Sequence, residues 1–184
     1  MTKIQRLSRR LRFVFLVGVC SVPLLHGVGW IFYERVLATP PFNFSPLLGL
    51  SWGQPPFMAG QVTWTMKALG FATSMLPGAA TMYCFACLAR LFQCFGKGEM
   101  FTQGSVGLIR RIGLAVLATQ VLRILQGPLV SLILTMDNPP GQHIITLGMD
   151  SASVSESVTG VIIILASWIM DEARRLREEQ ELVI

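Results

Sequence analysis

Between Phe13 and Tyr33 the chain carries no Asp, Glu, Lys or Arg, and the same is true between Ala68 and Ala89. A third apolar run, Ile112–Leu134, holds one charge, Arg123, and a fourth, Ala152–Met170, holds Glu156 alone. Crossing ~30 Å of hydrocarbon takes ~20 predominantly apolar residues, so these runs predict four membrane spans. With 52% of residues hydrophobic, 14% charged and a mean hydropathy of +0.58, a soluble globular fold is excluded on composition. The expected fold class is all-α, an integral membrane four-helix bundle, with residues 1–184 forming a single membrane domain. Its spans are about 13–33, 68–89, 112–134 and 152–170, with a hairpin at 90–111 and a tail at 171–184. The fourth run is the weakest, because VIIILASWIM (161–170) is short and must be completed by SASVSESVTG (151–160). That small, polar stretch is expected to face protein and not lipid.

Orientation follows from where Lys and Arg fall. Lys3, Arg6, Arg9, Arg10 and Arg12 precede the first run; Arg90, Lys97, Arg110 and Arg111 lie in the 90–111 connection; Arg174, Arg175 and Arg177 follow the last run. The remaining connections hold only Arg35 and Lys67. Both termini are therefore expected in the cytoplasm. Trp30, Tyr33 and Trp168 stand where an interfacial aromatic belt would put them. SRRLRF followed by an apolar run and VLA resembles a twin-arginine or secretory signal, but the run exceeds the ~7–15 residues of a signal's apolar region. The first run is therefore expected to stay as a span.

The net charge of +5 does not point to direct nucleic-acid binding, because the basic residues flank the spans and form no basic helix. Topology and attraction to anionic headgroups account for it. Cys20, Cys84, Cys87 and Cys94 all map to the inner halves of spans or to the inner connection, where thiols stay reduced. A disulfide-generating enzyme would need cysteines on the outer side. Cys84 and Cys87 have zinc-like spacing without a second ligand pair, so packing of two small soft side chains against a neighbouring helix is the expectation. No catalytic, cofactor-binding or metal-binding residue is expected, and the chain is expected not to be an enzyme.

The connection LFQCFGKGEMFTQGSVGLIRRIG (91–113) is the chief candidate for function. Its lysine between glycines is not a phosphate loop, since Lys97 is followed by glycine and not by Ser or Thr. Leu88, Leu91, Phe92 and Phe95 continue the second span as an amphipathic extension. Gly96 and Gly98 permit the left-handed backbone that ends a helix. Thr102 can cap the next one, and Arg110 and Arg111 can snorkel at the headgroup level.

These residues, with the terminal ARRLREEQELVI, resemble the bacterial membrane family known as domain of unknown function 2975. Its members show a "kG-E-x-F-T" turn before an "L-R-x-I-G" helix entry and end in "L-K/R-E-E-N-D/E-L-T-I/V". The matching positions are Leu91, Phe92, Lys97 to Glu99, Phe101, Thr102, Leu108, Arg111 to Gly113, Leu176 to Glu179 and Glu181 to Ile184. Gln180 stands where Asn is usual and Val183 where Thr is usual. The resemblance implies four spans and a regulatory pairing, because many members are encoded beside a small helix-turn-helix regulator.

In the tail, Ile169, Ala173 and Leu176 extend one apolar stripe, and Asp171 with Arg175 is an expected i,i+4 pair. Glu178, Glu179 and Glu181 then crowd a helix C-terminus, where the macrodipole disfavours negative charge and fraying is expected. Leu182, Val183 and Ile184 finish the chain. The end either packs under the 90–111 hairpin, where Lys97, Arg110 and Arg111 meet the glutamates, or docks on a partner, or is disordered. The partner-docking candidates are Lys97, Glu99, Phe101, Thr102, Arg110, Arg111, Leu176, Glu178, Glu179, Glu181, Leu182 and Ile184.

A second candidate lies within the spans. Arg123 is midway along the third run, where a charge costs ~2.5–3.5 kcal/mol on insertion scales and should find a protein partner. His26 lies at similar depth in the first run. Gln120 and Gln126 lie a turn to either side of Arg123, and Gly127–Pro128 can free carbonyls by breaking the helix ladder. Glu156 is offset by about 10 Å along the membrane normal at ~1.5 Å per residue. His26, Arg123, Gln126 and Glu156 thus form either a midplane site for an ion or an interhelical clamp. The 39–64 connection, with Trp52, Phe57 and Trp64, is expected to be a membrane-hugging connector or a ligand-sensing surface.

The sequence supports a non-enzymatic, regulatory, multi-pass protein of a bacterial inner membrane, docking a cytosolic partner such as a helix-turn-helix regulator through the 96–113 hairpin and the C-terminal tail and able to pair with copies of itself. The alternative is a small transporter or channel-like subunit built around Arg123.

Overall fold

The computed structural model describes residues 3–33, 62–98, 102–143, 145 and 151–181, with backbone alone at 3–5, 151–152 and 180–181. They form α1 (Lys3–Ile31), α2 (Trp64–Lys97), α3 (Gln103–Leu134) and α4 (Ser151–Glu181), with no strand among the described residues. Each helix is long and apolar enough to cross a membrane, as the uncharged runs predict. The 39–61 part of the outer connection lies outside the described residues, and Trp64 is exposed beneath the Lys67 ammonium, 5.2 Å from its ring centroid.

Pro23, Pro77 and Pro128 sit inside α1, α2 and α3 without ending them. Pro128 has no N–H to give Ile124 O, so the ladder lacks that bond, yet α3 remains helical from Gln103 to Leu134. Hydroxyls satisfy backbone carbonyls along these apolar helices, as lipid requires. Ser131 donates to Pro128 O at 2.9 Å, Thr135 to Ser131 O at 2.8 Å and Thr73 to Leu69 O at 2.8 Å.

The 90–111 connection is mostly helix. α2 extends to Lys97 and stops at Gly98, whose φ of 87° is open to glycine and costs an L-residue ~1–2 kcal/mol. Gly98 N–H closes the last turn on Phe95 O at 3.1 Å. Gly96 stays helical, so the stop belongs to Gly98 alone. Thr102 caps α3 as predicted, its Oγ1 accepting from Ser105 N–H at 3.3 Å.

Contacts divide the chain into two compact units. The first comprises Met1–Cys20, Ala80–Ala118 and Ser155–Ile184. In it α1 meets α2 through rings: Phe15 stacks on Phe92 with centroids 5.5 Å apart, and Gly18 leaves room for Phe85. Cys87, Leu91 and Ile112 form a buried cluster, with Cys84, Leu88, Phe95, Leu108, Ile109 and Ile163 packed against it. α3 and α4 touch where both lack side chains. A Cβ on Gly113 would lie 3.0 Å from Gly160 O and 2.7 Å from Ile164 Cγ1.

The second unit comprises Ser21–Ala79 and Thr119–Val154. Its core is Trp30, Tyr33, Val62, Met66, Val130 and Leu134. Trp30 and Tyr33 are each 1% exposed and stack at 5.4 Å, so they are core residues and not the interfacial belt expected of them. Glycine at position 70 lets the indole approach α2 closely, and such rings are among the largest apolar surfaces a core can bury. Trp168, by contrast, is 55% exposed, as a belt residue would be.

Phe13, Leu24 and Ile162 are among many large apolar side chains that point outward. Lipid tails are as apolar as these side chains, so in a bilayer they need no protein cover. Ser155, Glu156 and Thr159 are exposed too, which corrects the expectation that SASVSESVTG faces protein. Thr159 instead donates to its own helix at Ser155 O, 2.9 Å away, and among residues 153–160 of that stretch only Gly160 is buried.

Candidate functional site

The end of the first unit that carries the basic connection also carries the end of α4. Lys97, Arg110 and Arg111 are exposed, as are Leu176, Glu178 and Glu179. Thr102 is committed to the cap, its hydroxyl also within 3.1 Å of Ser105 Oγ. Glu99, Phe101, Leu182 and Ile184 lie outside the described residues, and Glu181 is described by its backbone alone.

Arg174, and not Arg175, takes Asp171. Placed three residues after Asp171 and four before Glu178, it pairs with Asp171 at 3.1 Å and with Glu178, while Arg175 turns to Glu172 at 3.9 Å. Pairs of this kind between side chains three or four residues apart favour the helical form of the last turns. Fraying is therefore opposed, and α4 stays helical to Glu181. Among the described residues no ion pair joins Glu178 or Glu179 to Lys97, Arg110 or Arg111. Ile169, Ala173 and Leu176 do form the expected stripe, with Ile169 71% and Leu176 52% exposed.

The intramembrane candidates separate. His26, Arg123 and Gln126 belong to the second unit and Glu156 to the first. His26 is buried, and its Nδ1 donates to Val22 O at 2.9 Å on its own helix. Arg123 lies on α3 in the same unit. Gln126, 1% exposed, donates from Nε2 to Ser74 Oγ at 3.1 Å, and Trp30 Nε1 donates to the same oxygen at 2.9 Å. One hydroxyl on α2 thus collects donors from α1 and α3.

Ser74 is the residue that sequence reasoning missed. It is fully buried, and its only signal is a short hydroxyl inside an apolar run. With both acceptor positions of Ser74 engaged, the arrangement joins three helices and offers little to a ligand. A further unforeseen device follows α3. Gly141, with φ of 90°, lets the chain turn so that Asn138 Nδ2 reaches Gln142 O at 3.2 Å and His143 Nδ1 reaches Thr135 O at 2.8 Å.

Cys84 and Cys87 lie in the apolar cluster of the first unit, which is the packing role expected of them. Among the described residues no three of His, Cys, Asp and Glu converge to hold a metal ion.

The chain belongs to the family described as protein of unknown function (DUF2975), whose model matches residues 56–184. No curated protein and no solved structure matches it.

Proposed function

We propose that this member of the family is a non-enzymatic regulatory protein of a bacterial inner membrane, with both termini in the cytoplasm, that docks a cytosolic partner on the 96–113 hairpin and the C-terminal tail. The observation that carries the reading is the stripe Ile169, Ala173 and Leu176. It leaves the apolar run on a helix that continues to Glu181 and stays exposed along its length. Apolar residues at i, i+4 and i+7 are the pattern by which an amphipathic helix seats in a partner's groove. Exposed Arg110 and Arg111 at the same end add a charged rim. The lysines and arginines that flank the runs support the orientation, and a helix-turn-helix regulator is the partner class to look for.

The test is co-purification from native membranes in mild detergent, comparing the intact chain with one truncated after Arg175 at matched expression. Recovery of a soluble regulator with the intact chain alone is the expected result. Equal recovery with both, or none with either, would remove the docking role from the tail.

The transporter reading rests on a charge, Arg123, within an apolar span of the unit that also holds the buried His26. Bonding of Gln126 and Trp30 to Ser74 favours a clamp over a pathway. Flux of an ion into liposomes that is lost in Arg123→Ala, with folding intact, would reverse that preference.

A further inference from the structure

At the same end of the first unit as α1 begins, a cleft of about 320 Å³ opens between α1 and the last turns of α2. Its lining is Ser8, Arg9 and Arg12 from α1 and Phe92, Gln93, Gly96 and Lys97 from α2. We propose that this cleft binds the phosphate group of an anionic phospholipid. The proposal goes beyond partner docking and does not depend on it.

Charge is the first argument. Three cations from two helices line the cleft, no carboxylate does, and among the described residues none of the three is ion-paired. Guanidinium groups one helical turn apart present forked donors to the oxygens of a phosphate. Ser8, 5% exposed, and Gln93 add a neutral hydroxyl and an amide at the wall. The absence of a side chain at Gly96 keeps the space open, since a Cβ there would stand 3.6 Å from Ser8 Cβ.

Position is the second argument, and it selects a lipid over a soluble phosphate. Arg12 directly precedes Phe13, which is 68% exposed and begins the uncharged run. Phe92 forms one wall of the cleft and stacks on Phe15 within that run. The cleft is therefore cationic where a span meets the headgroup layer and apolar on the side that leads into the hydrocarbon. A headgroup phosphate with an acyl chain lying along Phe92 and Phe15 matches both surfaces. Basic pockets between spans at this level are a recurring means of holding anionic headgroups.

The test is native mass spectrometry of the purified chain in mild detergent with phosphatidylglycerol or phosphatidylcholine of identical acyl chains. One phosphatidylglycerol is expected to remain bound, and phosphatidylcholine to be lost. At roughly five-fold per cation near an anionic surface, the triple variant Arg9→Gln, Arg12→Gln, Lys97→Gln should lower retention on the order of 100-fold. A charge-matched variant with Arg10→Gln, Arg90→Gln and Arg175→Gln should lose less than about five-fold, because these cations do not line the cleft. Gly96→Leu fills the cleft with every charge kept and should also abolish retention. It decides the matter if the triple variant fails to insert or fold, which circular dichroism and size-exclusion profiles would reveal. Equal retention by the triple and charge-matched variants, or retention by a folded Gly96→Leu, overturns the proposal. Displacement of the lipid by millimolar glycerol 3-phosphate would assign the cleft to a soluble phosphate and overturn the lipid assignment.

Discussion

Gly70→Ala should destabilise the protein even though alanine is the better helix former. Gly70 lies within α2, where exchange of glycine for alanine gains about 1 kcal/mol in an ordinary helix. A Cβ there would fall inside contact distance of Cη2, Cζ2 and Cζ3 of Trp30. The indole has nowhere to go. It is 1% exposed, stacked at 7° on Tyr33, and tethered through Nε1 to Ser74 at 2.9 Å. Overpacking of this kind costs ~1–3 kcal/mol. Displacing the ring would also weaken the Ser74 bond, worth about 0.6 kcal/mol on average between membrane helices, and the aromatic pair, worth ~0.5–1.5 kcal/mol. After the alanine gain is subtracted, a net loss of about 1–4 kcal/mol remains. Reversible unfolding in mixed micelles, followed by helicity, measures it. Gly107→Ala is the control, because nothing lies within 4 Å of a Cβ at that position, and it should be neutral or stabilising. The reasoning is refuted if Gly70→Ala is as stable as the unsubstituted chain, or if its penalty is undiminished in a Trp30→Leu background.

Three further outcomes are expected. Ser74→Ala removes the acceptor shared by Trp30 and Gln126 and should cost about 1–2 kcal/mol, from two interhelical bonds of ~0.6 kcal/mol each and the unmet donors they leave; a change below about 0.5 kcal/mol in the same unfolding assay would deny it a joining role. Gly113→Ala sets a methyl 3.0 Å from the Gly160 carbonyl oxygen, which cannot turn away as a side chain can, and its overpacking should leave it ~1–3 kcal/mol less stable by the same measurement than Gly107→Ala, where alanine brings the same helix gain unopposed. Reporter fusions at residues 50, 100, 143 and 184 should alternate outside, inside, outside, inside, and a C-terminus found outside would overturn the orientation argued from Lys and Arg.

Four helices were legible because a span is declared by length and lack of charge, quantities that one dimension records in full. The turn between α2 and α3 was legible for a similar reason. Gly98 and Thr102 act through their own backbone or the next few residues, and those neighbours are written beside them. What sequence could not supply was the side of each helix that meets protein. Near-uniform apolarity removes the contrast on which amphipathic periodicity depends, so Trp30 and Tyr33 read as belt residues although they are core. The hydroxyls make the same point more sharply. Thr159 and Ser74 are each a short hydroxyl within a span, yet Thr159 is exposed and bonds its own helix, whereas Ser74 is buried and receives bonds from two others. Both solutions satisfy the hydroxyl in a medium without water. They differ only in whether a donor such as Trp30 or Gln126 stands across the gap, and that is a property of packing which neither the residue nor its chain neighbours encode.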